Sequence, residues 1–261
     1  MKKKIKIKTF KGFVNDKLKD ENLDGIIDEL IHFKHGNFKD KDKDGIIDEP
    51  IHFKHGNYNR KIHEEYDTWL KTDENGDDPH EISKSLHKDQ KLDREHIGAI
   101  RDYTDSESEF LNRSLIRNRG SVSKLSNHHK IYAERLDDAV KKNPINRNLT
   151  VYSGLTFDPR KKIGKNGVMK SHAYISTTHH KETAHNFARA VHVDADGNEH
   201  RHIMHLDLKE GDHALHVAQH SWHPGEHETI LGRGTRLQYH KTEVHKGKGI
   251  IVHVHHMSIA K

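Results

Sequence analysis

Asn143-Pro144-Ile145-Asn146-Arg147-Asn148-Leu149-Thr150-Val151-Tyr152-Ser153-Gly154-Leu155 is the boundary at which the periodicity of the chain changes. Before it, Tyr132, Leu136, Ala139 and Val140 recur at helical spacing, and Asn143-Pro144 stops that helix because proline cannot continue the hydrogen-bond ladder. After it, apolar residues come in short runs of strand type. These are Leu149 to Tyr152, His172 to Ser176, His202 to Leu206, Thr229 to Leu231, Arg236 to Tyr239 and Ile250 to Val254, separated by glycine and charged turns. One helix interrupts them, with Ala184, Phe187, Ala188 and Val191 as its apolar stripe.

Residues 61–142 read as helical. Thr104 and Glu107 have the spacing of a capping box, and Phe110, Leu111 and Leu115 follow as an apolar stripe. Asn75-Gly76-Asp77-Asp78-Pro79 reads as a turn. A helical layer followed by an antiparallel β core gives an α+β fold, with a helical part over 60–145 and a β-rich part over 146–261.

The first 59 residues are of another kind. Residues 20–38 and 40–58 repeat one unit at a spacing of 20, with Asp-Gly-Ile-Ile-Asp-Glu at Asp24 to Glu29 and again at Asp44 to Glu49. Each copy carries a carboxylate-rich loop, formed by Asp20, Asn22, Asp24 and Asp28 in the first and by Asp40, Asp42, Asp44 and Asp48 in the second. Oxygen ligands at loop positions one, three, five and nine, with Gly25 or Gly45 at the sharp turn, suit Ca2+. The loops resemble those of EF-hands and dockerin-like repeats, but Ile31 and Ile51 stand where the bidentate acid belongs, which weakens the site. A small appendage over 1–59, carrying two acidic repeats, is the expectation.

Composition bounds what the chain can be. Of its 261 residues 31% are hydrophobic and 33% charged, so the core is confined to part of the chain. No run approaches the roughly 18 apolar residues of a membrane span, and the basic start Met1 to Lys8 leads into no signal-type apolar run, so a soluble protein is expected. The absence of cysteine excludes disulfides, thiolate catalysis and cysteine-ligated zinc. The formal charge of +5 is spread along the chain apart from Lys2, Lys3, Lys4, Lys6 and Lys8. That spread reads as solvation rather than a nucleic-acid footprint, since no aromatic stacking platform or reading motif accompanies it. The 28 histidines recur at close spacing, as in His202 and His205, His213 and His216, or His253 and His255. On strands such residues could bind metal adventitiously. Without a His-Glu-x-x-His motif they read as surface-facing polar residues.

Three pieces carry chemistry in a fixed order. Val151-Tyr152-Ser153-Gly154-Leu155 comes first, and Tyr174-Ile175-Ser176-Thr177-Thr178 follows, leading into the helix of Ala184, Phe187 and Ala188. Gly225-Glu226-His227-Glu228 comes last, running into Thr229-Ile230-Leu231 and the turn Gly232-Arg233-Gly234-Thr235. With Ala99 to Thr104 and Phe110-Leu111-Asn112 upstream, this series resembles the bacterial exoenzyme-type mono-ADP-ribosyltransferases of the arginine-specific Glu-x-Glu class, including those that phages package or express to modify host proteins.

The resemblance implies a helical layer packed on a split antiparallel β-sandwich and an enzyme that transfers ADP-ribose from NAD+ to arginine side chains of a host protein. It implies Glu228 as the carboxylate that holds the ribose 2′-hydroxyl and stabilises the positive charge left as nicotinamide departs. Glu226 would orient and deprotonate the acceptor guanidinium. Ser176 would hydrogen-bond Glu228, while Ser153, Gly154, Thr177, Thr178 and Phe187 would border NAD+. The place of action would be a host cytoplasm, a phage virion or a delivered toxin subunit. The chain departs from the family at Ser153, where arginine is usual. That departure leaves the phosphate charge to another cation, with Arg147 and Arg160 near in sequence, and keeps open an inert transferase fold acting as a calcium-dependent binding protein.

Overall fold

In the computed structural model, residues 64–71, 76, 78–247 and 249–260 are described. They lie within one unit, Lys61–Lys261. The expected appendage and both of its carboxylate loops lie outside the described residues. Helices come first: α1 (Glu64–Lys71), α2 (Pro79–His87), α3 (Arg94–Asp102), α4 (Ser108–Arg117) and α5 (Asn127–Lys142). Strands then dominate, as β1 (Leu149–Leu155), β2 (Val168–Lys170), β3 (Ile175–Thr178), β4 (Ala190–Val193), β5 (Glu199–Leu208), β6 (Ala214–His216), β7 (Glu228–Leu231), β8 (Arg236–Gly247) and β9 (Ile250–Ile259). A sixth helix, α6 (Lys181–Phe187), separates β3 from β4. The α+β expectation therefore holds.

Local chemistry accounts for the helix ends. Pro79 occupies the first turn of α2, where its missing N–H is no loss, and the Asp78 carboxylate accepts from the His80 N–H at 2.8 Å. Asp93 accepts from the N–H groups of Glu95 and His96, while the His96 ring closes a capping box back onto the Asp93 N–H. The box expected at Thr104 and Glu107 does not form. Those residues lie in a π-helical turn, Tyr103–Glu107, that carries α3 on into α4, and the Thr104 hydroxyl donates back to the Arg101 carbonyl at 3.1 Å. Of the stripe expected on α4, Leu111 and Leu115 are fully buried, whereas Phe110 is exposed. Val191 leaves its expected helix too. Ala188 turns extended and Val191 joins β4, paired with β5.

The nine strands form one hydrogen-bonded path in the order β2-β8-β9-β5-β1-β3-β7-β6, with β4 on β5. All the pairs are antiparallel except β5 with β9. Side chains alternate between two faces. Val151, Met204, Leu206 and Met257 enter one core cluster, and their neighbours Tyr152, Ile203, Val252 and Val254 enter another with Tyr66, Ala184 and Ala188. A third cluster joins Ile100, Leu111, Leu115 and Leu136 of the helices to Leu215 and Ile230.

The path has one weak join. β1 and β3 meet at a single register pair, Tyr152 with Thr178, whereas β3 pairs with β7 along its whole length and β1 with β5 along all seven residues. Gly154 lies beside this join, on the Tyr152 face, where the backbone of α6 rests directly on the strand. A Cβ there would stand 2.3 Å from the Ala184 carbonyl oxygen and 2.4 Å from the Ala188 nitrogen. Backbone cannot rotate out of the way as a side chain could. Gly154→Ala is expected to lower unfolding stability by about 3 kcal/mol or more, read from chemical denaturation; a loss under about 0.5 kcal/mol, the scale of an ordinary surface substitution, would show that α6 does not pack as described.

Candidate active site

Beyond the single join, β1 and β3 diverge and a cavity of about 630 Å3 opens between them, within the range of small-molecule sites. Tyr103, Ser153, Ser176, Phe187, Glu226 and Glu228 are among the residues that line it. The three motifs far apart in sequence thus reach one cavity.

Glu228 is the first residue of β7, opposite Thr178, and Ser176 stands opposite Ile230 on the same face. Ser176 is therefore the diagonal cross-strand neighbour of Glu228, within reach of a long side chain. Its hydroxyl hydrogen-bonds the Glu228 carboxyl. A relay continues behind it. The Tyr103 hydroxyl lies 3.3 Å from the Ser176 hydroxyl and accepts from the Asn112 amide at 3.0 Å, while the Asn112 carbonyl oxygen accepts from the Tyr174 N–H at 3.1 Å. With the single Ser176 proton given to the Glu228 carboxylate, the Ser176 oxygen is left to accept from Tyr103, so the protons run Tyr103 to Ser176 to Glu228 when Glu228 is ionised. The π-helical turn starts at Tyr103 and so sets where this relay begins.

Glu228 is 8% exposed. Burial pushes its carboxyl up to about 7, against the hydrogen bond from Ser176, and the nearby Glu226 pushes the same way. Glu226 ends a short 3-10 turn, Pro224–Glu226, is half-buried, and is likewise raised by burial. His227, between the two glutamates, takes left-handed backbone angles with φ at 49°. Its ring is locked by the Ser83 hydroxyl at 2.9 Å and packs on His179 and His80. A strained residue fixed in this way sets the relation of the two carboxylates.

The other expected site residues divide. Phe187 is exposed and lines the cavity. Thr177 and Thr178 also line it, but the Thr177 hydroxyl donates to the Thr229 carbonyl at 2.6 Å, tying β3 to β7, and the Thr178 hydroxyl accepts the His180 N–H at 3.0 Å, fixing the turn from β3 into α6. Gly154 admits α6. Ser153, in the place of the usual arginine, donates to the Ser176 carbonyl at 2.8 Å and bridges the gap between the diverging strands. Neither Arg147 nor Arg160 lines the cavity; Lys162 and Lys170 do, the former over the Phe157 ring at 3.9 Å. Arg233 of the following turn binds Asp137 and the Gly120 carbonyl, tying β7 to the helical layer instead of facing the cavity. Tyr103 and the relay role of Asn112 were not assigned from sequence, although both sit in the stretches that carried the resemblance upstream.

A buried glutamate with a raised pKa is a stability cost with a definite sign. Below the unfolded value near 4.5 both states are protonated and nothing is lost. Between that value and about 7 the unfolded state ionises while the folded state keeps its proton, and above about 7 the full cost is present. Glu228→Gln is therefore expected to leave the melting temperature unchanged at pH 3.5 and to raise stability by about 3 kcal/mol at pH 8. Thermal unfolding at the two pH values checks this, and an equal effect at both would contradict it.

Comparison with known proteins agrees with this geometry. Residues 80–256 match the family model described as ADP-ribosyltransferase exoenzyme. Among solved structures, C3stau2 from S. aureus with NAD is 20% identical with a TM-score of 0.57, over 70% of this chain and 95% of that one. Plx2a, an ADP-ribosyltransferase toxin from Paenibacillus larvae, is 19% identical with a TM-score of 0.56, over 70% and 96%. The ADP-ribosyltransferase Vis in complex with agmatine is 16% identical with a TM-score of 0.53, over 70% and 83%. At those identities the structures establish the fold. The sequence search of curated proteins gives no match. No helix among the described residues is long and apolar enough to cross a membrane. With the family model covering more than half of the chain, this protein belongs to the ADP-ribosyltransferase exoenzyme family.

Proposed function

We propose that this protein splits NAD+ and transfers the ADP-ribose to arginine side chains of a target protein. The observation that carries the reading is the placing of Glu226 and Glu228 on one cavity, two residues apart, with burial acting on both carboxyls.

The bond from nicotinamide to the ribose C1′ breaks, the electron pair leaves with nicotinamide, and positive charge develops on the ribose. Glu228 as carboxylate stabilises that charge in a water-poor site and accepts from the ribose 2′-hydroxyl, held in place by Ser176, Tyr103 and Asn112. Phe187 offers an aromatic face to the bound nucleotide, and Lys162 and Lys170 supply the phosphate charge that Ser153 does not. A guanidinium nitrogen of the acceptor then bonds to C1′, and Glu226 takes the proton it loses. A planar guanidinium can donate two parallel hydrogen bonds to one carboxylate, which an amide acceptor cannot.

Vis, solved with agmatine, is a neighbour bound to a guanidinium compound. The setting that goes with this reading is a host protein modified after delivery by a phage or as a toxin subunit; Plx2a, an ADP-ribosyltransferase toxin, supports its toxin-like part alone. Glu226→Gln is expected to lose transfer to an arginine-rich acceptor by at least about tenfold, roughly 1.4 kcal/mol, while keeping NAD+ hydrolysis. Retention of full arginine transfer by this variant would overturn the role given to Glu226.

A further inference from the structure

The histidines expected on the surface of the strands are in part among the most buried polar residues of those described. His202 and His255 are 1% and 0% exposed. On β5, His202 has the parity of Met204 and Leu206; on β9, His255 has that of Met257, so both point into the first core cluster. The His202 Nδ1 and His255 Nε2 lie 2.8 Å apart, and the His255 Nδ1 lies 2.8 Å from the Thr242 hydroxyl, which fixes that ring with Nε2 toward His202. The remaining ring nitrogen of His202, Nε2, is buried with no hydrogen-bond partner. Leaving such a group unmatched is unfavourable, and apolar side chains would have filled the space without that loss.

Asp158 completes the arrangement. It begins the 3-10 turn after β1, and one carboxylate oxygen with one nitrogen of each histidine all lie within 4.8 Å of one another. We propose that Asp158, His202 and His255 bind one divalent transition-metal cation of the zinc class. Two imidazoles and a carboxylate are a zinc donor set, with a fourth position left for water, and zinc sits about 2.0–2.2 Å from each donor. Donors around such an ion stand roughly 3.3–3.6 Å apart, so small side-chain rotations suffice. Burial holds both imidazoles neutral at pH 7, with lone pairs available, and the Arg160 guanidinium keeps the Asp158 carboxyl ionised.

Arg160 already donates to both carboxylate oxygens: its backbone N–H and Nε reach Oδ1 at 3.0 and 2.9 Å, and its Nη2 reaches Oδ2 at 2.8 Å, with Nε shared at 3.2 Å, so Oδ2 is the oxygen with a direction left for a cation. The bound cation pins the turn after β1 to β5 and β9. That turn runs from Phe157, which with Lys162 lines the cavity, so the site braces one wall of it from outside. The next pair outward, His200 and His253, repeats the 2.8 Å contact but is less buried, and only His200 reaches a carboxylate, Asp194, at 3.2 Å.

The test uses the full chain, stripped with a chelator and titrated with Zn2+ against a chromophoric competitor, with Co2+ as a spectroscopic substitute. One tight equivalent is expected, with a tetrahedral cobalt spectrum and a melting temperature that rises with free zinc. His202→Gln and Asp158→Asn should each weaken that equivalent at least about tenfold, while His213→Gln, at an exposed position, should not. Far-UV circular dichroism checks folding, and the partly exposed Asp158 gives a variant that folds if His202→Gln does not. Absence of a tight equivalent, or one insensitive to Asp158→Asn, would overturn the proposal and assign any zinc uptake to scattered surface histidines.

Discussion

Taking a carboxylate out of water is unfavourable unless other groups replace its hydration, and the placing of Glu228 at the mouth of β7 turns on that constraint. The hydroxyl of Ser176, delivered from the facing strand, and the relay through Tyr103 and Asn112 supply part of the replacement. The rest is left unmet, which is why the carboxyl titrates near 7 instead of in the ordinary glutamate range. A site arranged this way is poised to meet a positive charge. On the proposed reading, the missing interaction is made when the ribose becomes cationic, in the transition state and not before, which is the condition for a contact to accelerate a reaction.

The sheet is arranged around that need. β1 and β3 meet at one register pair and then part, so the cavity is a gap in the hydrogen-bonded path, not a hollow between separate layers. Gly154 lets α6 close one side of the gap, and Ser153 spans it by bonding the Ser176 carbonyl. The serine in place of arginine thus keeps a bracing role while giving up the charge. Lysines from the loop after β1 and from β2 bring cations to the cavity from another direction.

Much of this was legible in the sequence, because residues whose spacing is fixed by chemistry leave a signal. Ser176 and the Glu226, His227, Glu228 run could be placed by motif, and the division between helical and strand periodicity at Asn143-Pro144 matches the end of α5 and the start of β1. Signals failed where local pattern met tertiary packing. Thr104 and Glu107 have the spacing of a cap, but α3 runs on into α4 through a π-helical turn whose first residue, Tyr103, is buried in the helical core cluster with its hydroxyl toward Ser176. Alternation along a strand reveals that two faces exist and not which is covered, so His202 and His255 read as surface residues although they share parity with Met204 and Met257. Short strands such as β2 and β6, three residues each, carry too few side chains for any period to register.

The most direct test of the account is release of nicotinamide from NAD+ by the intact protein and by Glu228→Ala, each shown to be folded. The account predicts steady release by the intact protein and none by the variant. Release that survives in Glu228→Ala would contradict it, and so would silence from both folded proteins.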